Sequence, residues 1–409
     1  MTTPRRKNLV ILFLAGMAIA NALAGWELHA YIQRGFSDFS AFYTAGKLVQ
    51  SGRSAEMYSL PAQREMQQGF APDARARAGP LPYIRPPFEA LLFLPLAYLP
   101  YPAACALWLA INVGILVAIP IVLKPFVIGR PLLPGSSAGW LALAFFPVAA
   151  DLVQGQDAIL LTLCFALALA ALRRGADLWC GIFLALGLFK FHLVLPLFLV
   201  LLLKGKWRVG TGFVAAGVVL VLISVLLVGW PGLAHYPRYV WNLNAAHSTG
   251  VAAPQEMPNL RGLTSTLLGT SGSQQQLIPL FLAIGAAGVL LVRLLWRSNA
   301  SDPRLITAGF SLSLTVTILT SYYAYSFDML ALLLPAWLLG GIFLRDTEVP
   351  KLQRRMFIGA FGLLALSPLL WFLVLRSAQF HWVALVILLL LSGALASVLR
   401  MWERPALAG

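Results

Sequence analysis

Apolar residues run along the chain in long uninterrupted stretches, and polar residues collect in the gaps between them. The runs fall at 8–30, 102–123, 137–150, 157–172, 178–190, 192–203, 208–229, 275–295, 305–322, 327–344, 356–375 and 381–399. Many approach the roughly 20 residues that carry a helix across a bilayer. A sheet edge in lipid would leave backbone donors and acceptors unpaired, so spanning segments of this kind are helices. The pattern predicts an all-α polytopic membrane protein, a single domain over 1–409 with about twelve transmembrane helices. Basic clusters punctuate the runs: Arg5, Arg6 and Lys7, then Lys124 with Arg130, Arg173 with Arg174, and residues 204–208, 293–304, 345–355 and 400–404. Positive charge marks cytoplasmic helix ends, which puts both termini inside. The opening M-T-T-P-R-R-K and the apolar run after it resemble a secretory signal, but the run is long, and we read an uncleaved first span.

Two stretches break the simple alternation. P-P-F-E-A-L-L-F-L-P-L-A-Y-L-P at 86–100 is short and holds four prolines, so an interfacial or re-entrant segment on the outer face is expected. Residues 178–203 are apolar but flanked on both sides by cytoplasmic clusters. Two helices of about 12 residues rise only about 20 Å each, short of the hydrocarbon core, so the chain turns back near Lys190 and His192. Ionisable groups at such a depth are costly and mark function, although a lysine can also snorkel to the headgroups. Three polar stretches fall outside by this count: the loop 31–101 with interfacial helices, the loop 230–262, and the short S-Y-Y-A-Y-S-F-D at 321–328.

Composition sharpens the class. Of 409 residues, 59% are hydrophobic and 11% charged, against about 25% charged in a soluble domain. Mean hydropathy is +0.80. The formal net charge of +15 would suggest nucleic acid in a soluble protein. Here the cations serve topology and contact with anionic headgroups, and no nucleic-acid partner is expected. Cys105, Cys164 and Cys180 lie in apolar runs and read as packing residues. No H-E-x-x-H, G-x-S-x-G, P-loop or dinucleotide fingerprint occurs.

Candidate chemistry gathers on the outer side. Asp38 lies in S-D-F-S-A-F-Y beyond the first run, where Phe39, Phe42, Tyr43 and Gly46 recur near helical spacing. It reads equally as a reactive carboxylate and as a helix cap. Asp151 and Asp157 bracket V-Q-G-Q; Asp157 fits a cap, while Gln154 and Gln156 suit either a polar ligand or a tight turn at Gly155. Asp328 follows Tyr322, Tyr323 and Tyr325, and rings beside a carboxylate suit sugar. An aromatic belt and a helix-dipole role fit the same residues. Arg85, Lys190, His192, Arg238, His247 and Arg261 are outer-side cations, or potential cations, able to hold a phosphate. His29 and His381 read as interface residues.

D-F-S-A-F-Y-T-A-G-K-L-V-Q-S-G, then Tyr58, then R-P-P-F-E-A-L-L-F-L-P-L-A-Y-L-P and A-L-W-L-A-I-N resemble glycosyltransferase family 87. So do Q-G-Q-D-A-I-L-L, the G-L-F-K-F-H turn and Y-Y-A-Y-S-F-D, in that order over most of the chain. The resemblance implies a GT-C type helical bundle with an extracytoplasmic active site, in a bacterial inner membrane. It implies transfer of a hexose, mannose first, from a polyprenyl-phosphate donor to a lipid-linked or cell-envelope glycan. By position it makes Asp38 the catalytic base and Lys190 a donor-phosphate contact. The outer-side cations His192, Arg85 and Arg261 are expected to share that phosphate. Tyr43, Gln154, Gln156, Trp241, His247, Asn259, Tyr323, Tyr325 and Asp328 are then expected to orient sugar and acceptor. No cofactor is expected, and Asp38 has no acidic neighbour in sequence to share a metal. Competing classes are a lipid or polysaccharide transporter or flippase, and an O-antigen-type polymerase or ligase. One-sided polarity and the lack of an internal repeat favour the enzyme.

Overall fold

The computed structural model describes residues 4–71, 73, 79–129, 137–245, 254–268, 277–298, 301–345, 349–377 and 380–408. Among them every regular element is helical. Seven helices are long and apolar enough to cross a membrane: Asn8–Glu27, Tyr101–Phe126, Trp207–Leu243, Ile278–Leu295, Pro303–Thr320, Ser326–Leu344 and Phe380–Glu403. Two bent pairs, Asp177–Leu186 with Leu188–Leu203 and Lys351–Leu364 with Ser367–Arg376, would raise the number to nine only if each pair is one span. Length and composition therefore do not reach the expected twelve. The shortfall comes from short apolar helices such as Phe146–Gln154 and Ala158–Arg173, whose apolarity reflects burial in the bundle. In a sequence a buried core helix and a spanning one look alike.

Large apolar side chains stand exposed on the rim helices, among them Leu12, Leu23, Leu222, Leu226 and Leu282. An aqueous protein would hide such faces; in a bilayer they meet lipid tails. The centre is held by Pro303–Thr320 and the segment from Ser326 to Leu344, whose most apolar windows are 78% and 94% buried. Ser313, Thr315 and Thr320 donate to the carbonyls four residues earlier, so these buried hydroxyls need no outside partner.

A second core, rich in rings, forms over residues 39–108 and 228–243. Helix Phe39–Gln50 buries nine of its twelve residues there, more than a helix lying on a surface would. Residues 87–98 fold as three short helical pieces separated near Leu94 and Pro95, in line with a segment too broken to span. Helix Trp207–Ala245 bends at Gly229, which sits at φ 69°, ψ 169°, just before Pro231. That backbone is open to glycine and costly for other residues. The bend brings Tyr236 and Tyr239 against Tyr58.

Basic helix ends converge. Arg173, ending one helix, donates to Thr307 at the start of another at 2.6 Å. Lys204 donates to the carbonyls of Trp296 and Ser298, and Glu403 accepts from the Ser298 amide. Asp157, Lys190 and the loop after Thr320 lie at the opposite ends of the same helices.

Candidate active site

The turn between helices Phe146–Gln154 and Ala158–Arg173 is the hub. Gly155 ends the first helix in the left-handed region at φ 62°. A Cβ at that position would lie 2.7 Å from the Cβ of Phe39. Trp108 Nε1 donates to the Gly155 carbonyl at 3.0 Å. The turn thereby seats against the first residue of the helix that Asp38 precedes.

Asp38 makes no capping bond to its own helix. Its Oδ2 instead accepts from Gln156 Nε2 at 2.7 Å. Its amide donates a long 3.4 Å bond to Gln154 Oε1. The carboxylate is half-buried and lines a cavity of about 490 Å³. Burial pushes its pKa above the ordinary aspartate value, opposed by the Gln156 hydrogen bond and by the charges of Arg85 and Lys190. Asp157 also makes no cap at its helix start; Asp151 takes that part, accepting from the Ala158 amide at 2.9 Å.

Asp157 is thereby free for charge pairing. Arg85 Nη2 lies 3.0 Å from each Asp157 oxygen and donates to Gln156 Oε1 at 3.1 Å. Its guanidinium also stacks over Phe42, 5.8 Å from the ring centre. Lys190, at the break between helices Asp177–Leu186 and Phe191–Leu203, places Nζ 2.8 Å from Asp157 and 2.6 Å from Asp328. The other Asp328 oxygen accepts from the Tyr325 amide at 2.8 Å and starts the helical segment that follows. Glu89 is fully buried beside Arg85, at 3.9 Å, and burial together with Asp157 pushes its carboxyl well above the usual range.

The cavity wall joins Asp38, Gln154, Gln156, Arg85, Tyr323 and Tyr325. A second, apolar cavity of about 930 Å³ runs between helices Phe191–Leu203, Trp207–Ala245 and Ile278–Leu295. Ile84, Arg85 and Tyr323 belong to both walls. His192 and Trp241 line the larger one. The His192 ring meets Tyr323 edge-on at 5.7 Å, and Tyr323 meets Tyr325 at 5.2 Å.

The other predicted residues stand back from both cavities. Tyr43 is buried and donates to the Leu99 carbonyl at 2.7 Å. Asn259 bonds the Ser321 carbonyl and the Gly262 amide. Arg261 is buried, stacks 3.9 Å from the centre of the Tyr322 ring and donates to the Tyr322 carbonyl at 2.9 Å. Both hold the 321–325 loop from behind. Lys190 is 1% exposed and lines neither cavity. Asp328 is buried beneath Tyr325. His247 lies outside the described residues. Sequence reasoning passed over Glu89 and kept Asp157 only as a cap. A second acid within Q-G-Q-D, next to Asp151, was the available signal for Asp157.

A model of glycosyltransferase family 87 matches residues 83–321. The chain belongs to glycosyltransferase family 87. No curated protein and no solved structure matches it. Membership and the apolar helices together make the chain a membrane glycosyltransferase, which favours the enzyme over the transporter. The helical bundle is consistent with the GT-C superfamily. Arg85, Gln156, Asp157, Lys190 and His192 fall within the matched residues; Asp38, Tyr325 and Asp328 lie beyond them.

Proposed function

We propose that this chain transfers a hexose, with mannose the sugar to test first, from a polyprenyl-phosphate donor to a lipid-linked or cell-envelope glycan. One observation carries the reading. A cavity holding a carboxylate adjoins an apolar groove, and the wall between them bears a guanidinium. A donor made of sugar, phosphate and isoprenoid has the same order of chemistries. The prenyl chain lies in the groove, the phosphate meets Arg85 with His192 beside it, and the sugar enters the polar cavity.

Asp38 takes the proton from the acceptor hydroxyl as that oxygen attacks the anomeric carbon. The new carbon–oxygen bond forms as the bond to phosphate oxygen breaks, and the electron pair leaves with the polyprenyl phosphate. Attack opposite the leaving group inverts the anomeric centre. Arg85 offsets the charge gathering on the departing phosphate. Gln154, Gln156, Tyr323 and Tyr325 orient sugar hydroxyls and stack on the ring. The Lys190 ammonium, enclosed between carboxylates, is not assigned a direct phosphate contact. The guanidinium supplies the positive charge that a divalent ion would otherwise bring, so we expect transfer to persist in EDTA. Read by the positive-inside rule, the basic helix ends favour a cytoplasmic face, which supports a site on the extracytoplasmic side of a bacterial inner membrane.

The test is incubation of purified chain with polyprenyl-phosphate mannose and a membrane lipid extract, followed by identification of the mannosylated product. Other polyprenyl-phosphate hexoses run alongside identify the sugar. Transfer from a nucleotide sugar with no lipid donor present would overturn the reading.

A further inference from the structure

The ion pairs behind the cavity form one continuous path whose two ends both return to the cavity. From Asp38 it passes to Gln156, then Arg85, Asp157, Lys190 and Asp328, and ends on the Tyr325 amide. Five separate stretches of chain contribute: the lead into helix Phe39–Gln50, the segment before Pro86, the Gly155 turn, the helix break at Lys190, and the start of the last central helix. Asp38 and Tyr325 both line the cavity wall; Asp157, Lys190 and Asp328 do not. The Lys190 ammonium lies between the carboxylates of Asp157 and Asp328, so its charge is engaged on both sides. We infer that Lys190 is a positioning residue, whose clamp on Asp157 and Asp328 fixes the base-bearing wall relative to the tyrosine loop across the cavity.

The reason is geometric. A lysine ammonium directs three donors from one atom. Here that atom lies within hydrogen-bond distance of carboxylates on two different elements. The helix break is what brings it in: Leu188–Lys190 forms a tight turn between helices that meet at 62°. Lys190 Nζ also sits 4.7 Å from the centre of the Phe327 ring, which lines the cavity next to Tyr325 and Ser326. Loosening the clamp frees Asp157 from one partner and Asp328 from its 2.6 Å ion pair. Arg85 and the tyrosine loop then gain freedom on opposite sides of the sugar, and misplacement of about 1 Å can cost about a hundredfold in rate.

The inference rests on the reading of Asp38 as base and of polyprenyl phosphate as leaving group. Its test uses the full-length chain in lipid nanodiscs and two readouts. One is kcat and KM for transfer from the polyprenyl-phosphate sugar. The other is the Kd of polyprenyl phosphate carrying no sugar. Lys190→Met is expected to lower kcat about a hundredfold and to leave that Kd within about threefold of wild type. Lys190→Arg, which can still span two carboxylates, should recover most of the rate. Asp328→Asn keeps an oxygen for the Tyr325 amide but loses the ammonium, and should lower kcat about tenfold with KM unchanged. A loss of polyprenyl-phosphate affinity in Lys190→Met, with kcat preserved, would overturn the inference in favour of direct phosphate contact. Should Lys190→Met not fold, Asp328→Asn decides, and an unchanged kcat there would also sink it. Wild-type chain that binds no polyprenyl phosphate would instead bring down the donor assignment, a separate result.

Discussion

At the scale of single residues the site turns on one carboxylate whose charge is held at a cost. Burial raises the Asp38 pKa, while Gln156 and Arg85 work against burial. A general base must be ionised, so kcat/KM should rise with pH through an acid limb lying above the ordinary aspartate value. Gln156→Leu removes a donor that favours the carboxylate, and the limb should move to higher pH; a limb moving down would contradict the assignment. Asp38→Asn should lower transfer by at least about 10²-fold and leave the fold intact. Its effect on stability has a definite sign. A carboxyl whose folded pKa is raised helps the native state fully only below its unfolded pKa, and that help is lost as pH rises through the folded value. Asp38→Asn should therefore melt no lower than wild type at neutral pH, and any gain should vanish on acidification below the ordinary aspartate range. Lys190 has the opposite signature. Removing it leaves Asp157 and Asp328 buried with less compensation, so Lys190→Met should lose about 3–5 kcal/mol in denaturant melts. The carboxylates were visible in the sequence, but their roles were not. A capping carboxylate and one that turns to a distant partner look identical until that partner, 118 residues away for Asp38 and Gln156, is in place.

At the scale of elements, the Gly155 turn decides whether Asp38 and Gln156 meet. The same turn fixes Asp157 for its ion pairs, since Asp151 has taken over the helix start. Gly155→Ala brings two penalties: left-handed backbone, about 1–2 kcal/mol, and overlap with Phe39, about 1–3 kcal/mol more. Gly52 separates them. Its φ is 72°, and a Cβ there would meet nothing within 4 Å. Gly52→Ala should show the backbone penalty alone, whereas Gly155→Ala should be less stable and also impaired in transfer. Equal destabilisation of the two variants would show that the Phe39 contact carries no weight. A turn at Gly155, the break near Lys190 and the fragmentation of 86–100 were all legible, because proline, glycine and short run length leave local marks. The enclosure of helix Phe39–Gln50 was not. Its helical spacing suggested a helix lying along the interface, and the rings of Phe93, Tyr101 and Trp108 packed on Phe39 come from elsewhere in the chain.

For the molecule as a whole, hydropathy gave the class, and Arg173 and Lys204 lie at the far ends of the helices that begin beside Asp157 and Lys190. The number of crossings was less legible, because short buried helices such as Ala158–Arg173 are as apolar as those that meet lipid. What no local pattern could reveal is the meeting of two unlike cavities across Ile84, Arg85 and Tyr323. That junction yields a prediction at the same scale. If the apolar groove holds the isoprenoid, filling it should discriminate donors by tail length and spare the chemistry. Gly285 lines the groove on helix Ile278–Leu295, away from the polar cavity, and the nearest atom to a Cβ there is the Thr320 carbonyl oxygen at 4.0 Å. Gly285→Leu should therefore fold, since glycine inside a helix is itself unfavourable by about 1 kcal/mol relative to alanine. The added side chain competes with several methylenes of the donor, each worth about 0.8 kcal/mol on burial. KM for a long-chain polyprenyl-phosphate sugar should rise about tenfold or more, while a donor truncated to two isoprene units keeps its wild-type KM and both retain kcat. A uniform fall in kcat for both donors would place the isoprenoid elsewhere, and would leave the groove as ordinary lipid-facing surface.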